Sequence, residues 1–442
     1  MTHVTGSAPI TRFPLGLAVR GGQQLSGTVA VDGSKNAALP LVAAAAALGQ
    51  PVTLSNLPAS SDVAAMTRLI QAAGIRTETL PDNPSVLHVI PAADQVSEVD
   101  RALAGSIRAS YYLVPALLVS GRAELPWPGG CSIGDRGMEL HFTVYEAFGD
   151  TIHSCEAGYQ ITASRAKLRK QVEIKLPFPS RGTTVVALLR ALVARRPLLL
   201  HTPNTSPEVT SLVQALGHAG HEVTYLSSGE LSFLPGIPSP ARWQIPGDKI
   251  EAGTLLCAMA ATGGHGRIIG ADTAHLRPLL DLLDELGFPL YATGSRVELS
   301  GPAALTGASM NAIASLASLA SDSCLDADFE PPLMALALGL PGNHTFADEI
   351  NPGRHANLLP QLRRLGADIT ETSATACHLN GPQRLTGAEV QATDIRTGSA
   401  LLIAALTADE VSTLTGLGQL QRGHADLPGK LRMLGADITA LV

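Results

Sequence analysis

The chain has 442 residues, a formal charge of −7, 45 % hydrophobic residues and only 4 % aromatic residues. That length is too great for one ordinary core, so two or more domains are expected. The acidity excludes a global basic field for nucleic acid or an anionic membrane, so an anionic substrate must meet positive charge gathered in one cleft.

The first residues, MTHVTGSAPITRFPLG, lack a basic start followed by an apolar run, so no secretory signal is expected. The longest apolar stretch, 37–48, contains Pro40 and falls short of the roughly 20 residues a membrane span needs. Cys131, Cys155, Cys257, Cys324 and Cys377 are scattered and form no CxxC pair. A reducing compartment is expected, and neither a disulfide framework nor a zinc site. The protein is expected to be cytoplasmic.

In chain order, GTVAVD reads as a strand and AALPLVAAAAALG as a helix, with Gly33-Ser34-Lys35-Asn36 between them. A lysine and an amide then stand at a helix start, where free N–H groups attract anions. Arg108, in GSIRASYYLVPALL, lies next to small residues that open an apolar helix. The segment from Pro126 to His141, PWPGGCSIGDRGMELH, holds Cys131 among glycines and prolines, with Arg136 five residues on. It reads as a mobile loop. A nearby guanidinium favours thiolate there and holds anions. Asp328, in LDADFEPPLMALALGL, is a carboxylate at another helix start, and Asp394 and Arg396 repeat the arrangement in QATDIRTGSALLIAAL. Arg422 lies in QLQRGHADL, before the last helix. Gly264-His265-Gly266 lacks the rest of a dinucleotide fingerprint and reads as a turn, and the thirteen histidines are dispersed.

A repeat underlies these elements. An apolar helical end, a glycine and an alternating strand recur at Gly74, Gly149, Gly220, Gly287, Gly366 and Gly435. Glycine there fits the left-handed residue that ends a helix. A second marker, an Ala/Leu-rich helix, a tight turn and a strand, recurs in phase with it. Six β-α-β-α-β-type units of about 70 residues are expected, packed on one another in one ring or in two groups of three.

GSKNAALP, the PGGCSIGDR loop with Leu140-His141 after it, ATDIR and QRGH resemble the enolpyruvyl transferases that act on UDP-N-acetylglucosamine, roughly from Leu17 to Val442. The resemblance implies two inside-out α/β barrel domains, each of three βαβαββ-type repeats, with helices inside and sheets outside. Residues 35–246 would form one domain, and 1–34 with 247–442 the other. The active site would lie in the cleft between them. It implies transfer of the enolpyruvyl group of phosphoenolpyruvate, a co-substrate, to a hydroxyl of a uridine nucleotide, without metal or cofactor. Cys131 would be the acid towards the donor's methylene carbon, open to alkylation by fosfomycin. Asp328 would be the base. Lys35, Arg108, Arg136 and Arg422 would surround the donor's phosphate and carboxylate, with Lys35 and Arg422 sharing in catalysis. Asn36, Arg136, Leu140, His141, Ser180, Gly182 and Asp328 would face the acceptor, and Asp394 and Arg396 would support the site.

The chain departs from the family pattern on the acceptor side. Gly137, Met138 and Glu139 stand where Pro, Val and Asp are usual, Phe178 where a lysine is, and Lys249 where an arginine is. Arg354 matches the family's arginine-bearing segment only loosely. Both UDP-N-acetylglucosamine, for peptidoglycan, and UMP, for peptidyl-nucleoside antibiotics, therefore stand as acceptors. The related shikimate 3-phosphate transferase shares the GSK start but lacks the cysteine loop. A binding-only paralogue is opposed by the joint presence of Cys131, Lys35, Asp328 and Arg422.

Overall fold

The computed structural model describes residues 15–91, 99–130, 134, 137–164, 171–301, 307–316 and 325–441. Cys131, Arg136 and Cys324 lie outside them.

The fold is built around helices that are apolar on nearly every side. In Lys35–Ala47 every residue but Asn36 is buried. Lys249–Ala261 and Ile395–Thr407 are buried throughout except for their last residues. A helix of this kind belongs inside a fold. The strands show the complementary pattern, one buried and one solvated face, as in Val172–Lys175 and Asn311–Ala314. Helices inside and sheets outside follow, an inside-out α/β arrangement.

Among the described residues there are five four-stranded sheets and one three-stranded sheet. Each four-stranded sheet contains a parallel pair, such as Val172–Lys175 with Leu198–His201 or Glu389–Gln391 with Val411–Thr415. Parallel neighbours need a crossover, and the buried helices Arg181–Ala194 and Ile395–Thr407 supply it in these two cases. The six repeat glycines all sit at helix ends with φ between +83° and +98°.

The apolar side chains form two separate cores. One runs from Ala37 to Ile245; the other takes Leu17–Val31 and Ile250–Ile438. Strand Ser26–Ala30 pairs with His265–Ile269 in the second, while Ala241–Gln244 pairs with Val52–Ser55 in the first. The chain therefore crosses between them twice, side by side. Gly33 bridges Gly247, Ser34 N donates to Pro246 O at 2.8 Å, and Asp248 N donates to Asp32 O at 2.8 Å. A Cβ on Gly33 would lie 1.9 Å from Asn56 O, so the close approach there needs glycine.

Two local expectations change. Glu139–Ala147 is helical, so the loop that begins at Pro126 ends before Glu139. His141, Val144 and Tyr145 are buried on one face of that helix, and this helical spacing overrides the loop character of the residues before it. Gly264 follows a turn, but His265 and Gly266 open a strand.

Candidate active site

A cleft of about 800 Å³ lies between the two cores. Lys35, Asn36, Arg108, Leu140, His141, Ser180, Gly182, Asp328, Asp394, Arg396 and Arg422 all line it. Residues scattered over nearly 400 positions are thus brought to one place, and Cys131 and Arg136 are the two site candidates outside the described residues. The loop that carries them is described on both sides. A Cβ on Gly130 would touch Arg108 Cβ at 3.0 Å, and one on Gly134 would lie 2.9 Å from Pro352 Cγ. Gly134 thus rests on the opposite side of the cleft from the strand that leads into the loop.

Three of the cations stand at helix starts, while Arg422 ends the helix Leu417–Gln421. Lys35 opens its helix behind the N-cap Ser34, Arg108 opens a 3₁₀ turn, and Arg396 is in the first turn behind Asp394. Asp394 accepts from Arg396 N at 2.9 Å and Thr397 N at 3.1 Å. The remaining N–H groups and dipoles of these helices add positive potential to the cleft.

Two carboxylates hold the cations in place. Asp62 receives Lys35 Nζ at 3.3 Å and Arg422 Nε at 3.0 Å, one from each side of the cleft. Arg422 also donates to Ser106 O at 3.4 Å. Asp328 receives Arg396 Nη2 at 2.9 Å and Arg354 Nη2 at 3.0 Å. Arg354 is itself fixed by Asp348 at 2.7 Å and Ala327 O at 2.8 Å. Burial alone would raise the Asp328 carboxyl; Arg396 and then Arg354 outweigh it and hold the group well below the usual carboxylate range. Asp328 is not the cap of its helix. Asp326 takes that place, accepting from Asp328 N at 3.1 Å, and the Asp328 side chain is left to the cleft.

The side of the cleft expected to face the acceptor is shaped by contact. Ser180 caps Arg181–Ala194, accepting from Thr183 N at 3.3 Å. A Cβ on Gly182 would lie 2.5 Å from Tyr111 Oη and 2.9 Å from His141 Nε2, so only glycine admits both rings. The two ring centroids are 4.4 Å apart. His141 is buried, and among the described residues neither ring nitrogen has a hydrogen-bond partner. Burial, and then Arg108, push it down to about 3, so it is a neutral imidazole at physiological pH. The side chain of Glu139 folds back over Gly137, where a Cβ would meet it at 1.8 Å.

Four more charges join the two sides. Arg181 meets Asp326 at 2.9 Å and Glu208 at 3.7 Å, and Lys249 meets Asp326 at 2.9 Å and Glu208 at 3.4 Å. Sequence reasoning missed Asp62, Arg181, Glu208 and Asp326. Arg181 and Lys249 satisfy the same helix-start criterion that picked Lys35, and Asp62 lies in the first turn of Ser61–Ala72. Their carboxylate partners Asp326 and Glu208 also stand at helix starts, but nothing local pairs them with these cations.

Helix starts, cations and a buried carboxylate gathered from both cores suit an anionic substrate, and comparison with known proteins gives the family. The sequence profile of the EPSP synthase (3-phosphoshikimate 1-carboxyvinyltransferase) family matches residues 19–431. UDP-N-acetylglucosamine 1-carboxyvinyltransferase 1 of Halalkalibacterium halodurans is 32 % identical over 96 % of this chain and 94 % of its own length. The protein of that name from Staphylococcus aureus is 31 % identical over 96 % and 98 %. A crystal structure of the enolpyruvyl transferase NikO from Streptomyces tendae superposes with a TM-score of 0.81 at 25 % identity, covering 96 % of this chain and 98 % of that one. EPSP synthase from Acinetobacter baumannii, 16 % identical over 96 % and 99 %, has the same fold at a TM-score of 0.74. The chain belongs to the EPSP synthase family of enolpyruvyl transferases.

Among the described residues no helix is long and apolar enough to cross a membrane.

Proposed function

We propose that the chain transfers the enolpyruvyl group of phosphoenolpyruvate to a hydroxyl of a uridine nucleotide, with release of phosphate, and that the acceptor is UDP-N-acetylglucosamine. Near-full-length likeness to proteins named for that reaction supports the acceptor. The observation that carries the reaction is the placement of Lys35, Arg108 and Arg422 in the same cleft as Asp328.

In this reading Lys35, Arg108, Arg422 and Arg136 hold the donor's phosphate and carboxylate. They stabilise the tetrahedral intermediate, which keeps both groups. The Cys131 thiol gives its proton to the donor's methylene carbon while the acceptor oxygen bonds to the adjacent carbon. Asp328 accepts the hydroxyl proton. A carboxylate held by two guanidinium groups is a weak base, so its first task is to accept the hydroxyl hydrogen bond and align it. The proton moves as the forming C–O bond makes that oxygen acidic. Loss of a proton from the new methyl group and departure of phosphate then restore the double bond. Asn36, Leu140, Ser180, Gly182 and neutral His141 form the acceptor wall. Residues 35–246 act as one domain and the remainder as the other, working in the cytoplasm with no metal or cofactor.

A second acceptor, UMP, is favoured by the wall itself. Gly137, Glu139 and Phe178, which depart from the family pattern, all line the same cleft.

The test is phosphate release from phosphoenolpyruvate, with each acceptor offered separately, by the wild type, Cys131→Ala and Asp328→Ala. Release with the sugar nucleotide alone supports the lead reading, and release with UMP alone replaces it with the second. No release with either, or normal turnover by Asp328→Ala, overturns the assignment.

A further inference from the structure

Behind Asp328 a line of buried side chains runs to the place where the chain crosses between its two cores. Arg396 is shared: Nη2 donates to Asp328 Oδ2 at 2.9 Å, and Nη1 meets His424 Nε2 at 3.0 Å. Guanidinium only donates, so His424 Nε2 must be the acceptor and the ring proton must sit on Nδ1. That Nδ1 faces Glu251 Oε1 at 4.0 Å, and neither atom has a hydrogen-bond partner among the described residues. The other oxygen of Glu251 accepts from Lys430 Nζ at 2.6 Å and from Asp32 N at 2.8 Å. Lys430 also reaches Asp32 at 2.9 Å. Asp32 is in the crossing itself, where its carbonyl takes Asp248 N at 2.8 Å. His424 is 2 % exposed and Glu251 1 % exposed.

We propose that His424 and Glu251 are positioning residues that hold Arg396 on Asp328 and tie that carboxylate to the interlobe crossing. The inference rests on the reading of Asp328 as the proton acceptor. The line is a brace and not a proton wire, because Arg396 stays protonated throughout. Neutral His424 gives the second Arg396 nitrogen an acceptor, so the guanidinium plane is fixed from two sides. A protonated His424 would set two cations 3.0 Å apart and push Arg396 off its place. Burial, then Arg396, Lys35 and Lys430, keep the ring neutral, with Asp328 acting the other way. Ionised Glu251 attracts the Nδ1–H dipole across 4.0 Å, beyond hydrogen-bond reach, and so favours this tautomer and ring orientation. Burial pushes Glu251 up to about 7; Lys430 opposes this, and Asp248 and Asp32 add to it. The brace is therefore tightest above that pH.

The experiment measures kcat and both KM values against pH for wild type, His424→Leu, His424→Gln and Glu251→Gln. His424→Leu should lower kcat roughly tenfold to a hundredfold, with both KM values changed less than about twofold. His424→Gln keeps an acceptor for Arg396 and should recover most of that loss. Wild-type kcat should climb with pH through about 7, and Glu251→Gln should lose this limb. Wild-type kcat in His424→Leu, or an unchanged limb in Glu251→Gln, overturns the proposal. One readout needs no turnover. The imidazole ¹⁵N spectrum of the unliganded protein should show His424 protonated at Nδ1 and bare at Nε2, and a proton on Nε2 overturns the brace. Absence of wild-type turnover, by contrast, sinks the functional reading and leaves the spectrum to decide the brace.

Discussion

Asp62 receives Arg422 at 3.0 Å from 360 positions away, and the same carboxylate holds Lys35 at 3.3 Å. Each core thus lends one cation to a carboxylate that belongs to the first. Both pairs are largely buried, with side chains between 10 % and 14 % exposed. Removing one partner of such a pair leaves charge uncompensated. Asp62→Asn should therefore destabilise the unliganded protein by about 3 kcal/mol. Phosphoenolpyruvate, which brings anionic groups to the same cations, should restore more stability to the variant than to the wild type. Thermal unfolding with and without phosphoenolpyruvate checks both statements; equal ligand-induced shifts would show that Asp62 does not compensate the donor cations.

Much of this arrangement was legible in the chain. Six glycines in a repeated context mark helix ends, and all six have the left-handed angle that context requires. Basic residues next to capping residues mark helix starts, and these starts line one cleft. What was not legible is pairing at a distance. Nothing near Asp62 announces Arg422. In LDADF, Asp326 and Asp328 both satisfy the pattern of a helix start, and only coordinates decide that Asp326 caps while Asp328 faces the cleft. The end of the cysteine loop was misplaced for a related reason. Burial of His141, Val144 and Tyr145 against the core is a tertiary effect that the preceding glycines conceal.

Gly182 is where the acceptor wall has least room. A methyl group there would meet Tyr111 Oη at 2.5 Å and His141 Nε2 at 2.9 Å, and both rings are confined by the core. Gly182→Ala should destabilise the protein by roughly 1–3 kcal/mol, the usual cost of overpacking, and by displacing the two rings weaken uridine nucleotide binding while phosphoenolpyruvate binding holds. Calorimetric titration with each ligand separates the two; an unchanged nucleotide affinity would remove Gly182 from the acceptor wall.

Arg181 and Asp326 form the shortest link between the acceptor wall and the segment that carries Asp328, at 2.9 Å. Glu208 and Lys249 complete the group, so the pair is not isolated and single substitutions leave the remaining charges unbalanced. A double-mutant cycle with Arg181→Met and Asp326→Asn should give a coupling of about 0.5–3 kcal/mol in acceptor kcat/KM. Additive losses would show that the two residues act on the acceptor separately.

Asp328 and Glu251 should contribute to stability with opposite pH dependence, because these two buried carboxylates are displaced in opposite directions. Asp328 is held well below its ordinary value despite burial, chiefly by Arg396. Its folded form binds a proton less readily than its unfolded form, so its contribution is present above about pH 4 and is lost as the pH falls below that. Glu251 is pushed up to about 7 by burial. Its folded form binds a proton more readily than its unfolded form, so its contribution is present below about pH 4.5 and is lost as the pH rises towards 7. Urea unfolding midpoints should fall at low pH through Asp328, while on approach to neutrality the loss through Glu251 runs against a gain from His141 and His424, whose buried rings bind protons less readily than in the unfolded chain. Asp328→Asn should reduce the acid slope without abolishing it, since Asp326 and Glu208 are also held low, and Glu251→Gln should make stability rise more steeply towards neutrality than in the wild type. If Glu251→Gln left the neutral slope unchanged, the carboxylate would already be ionised well below 7, and Lys430 rather than burial would govern it.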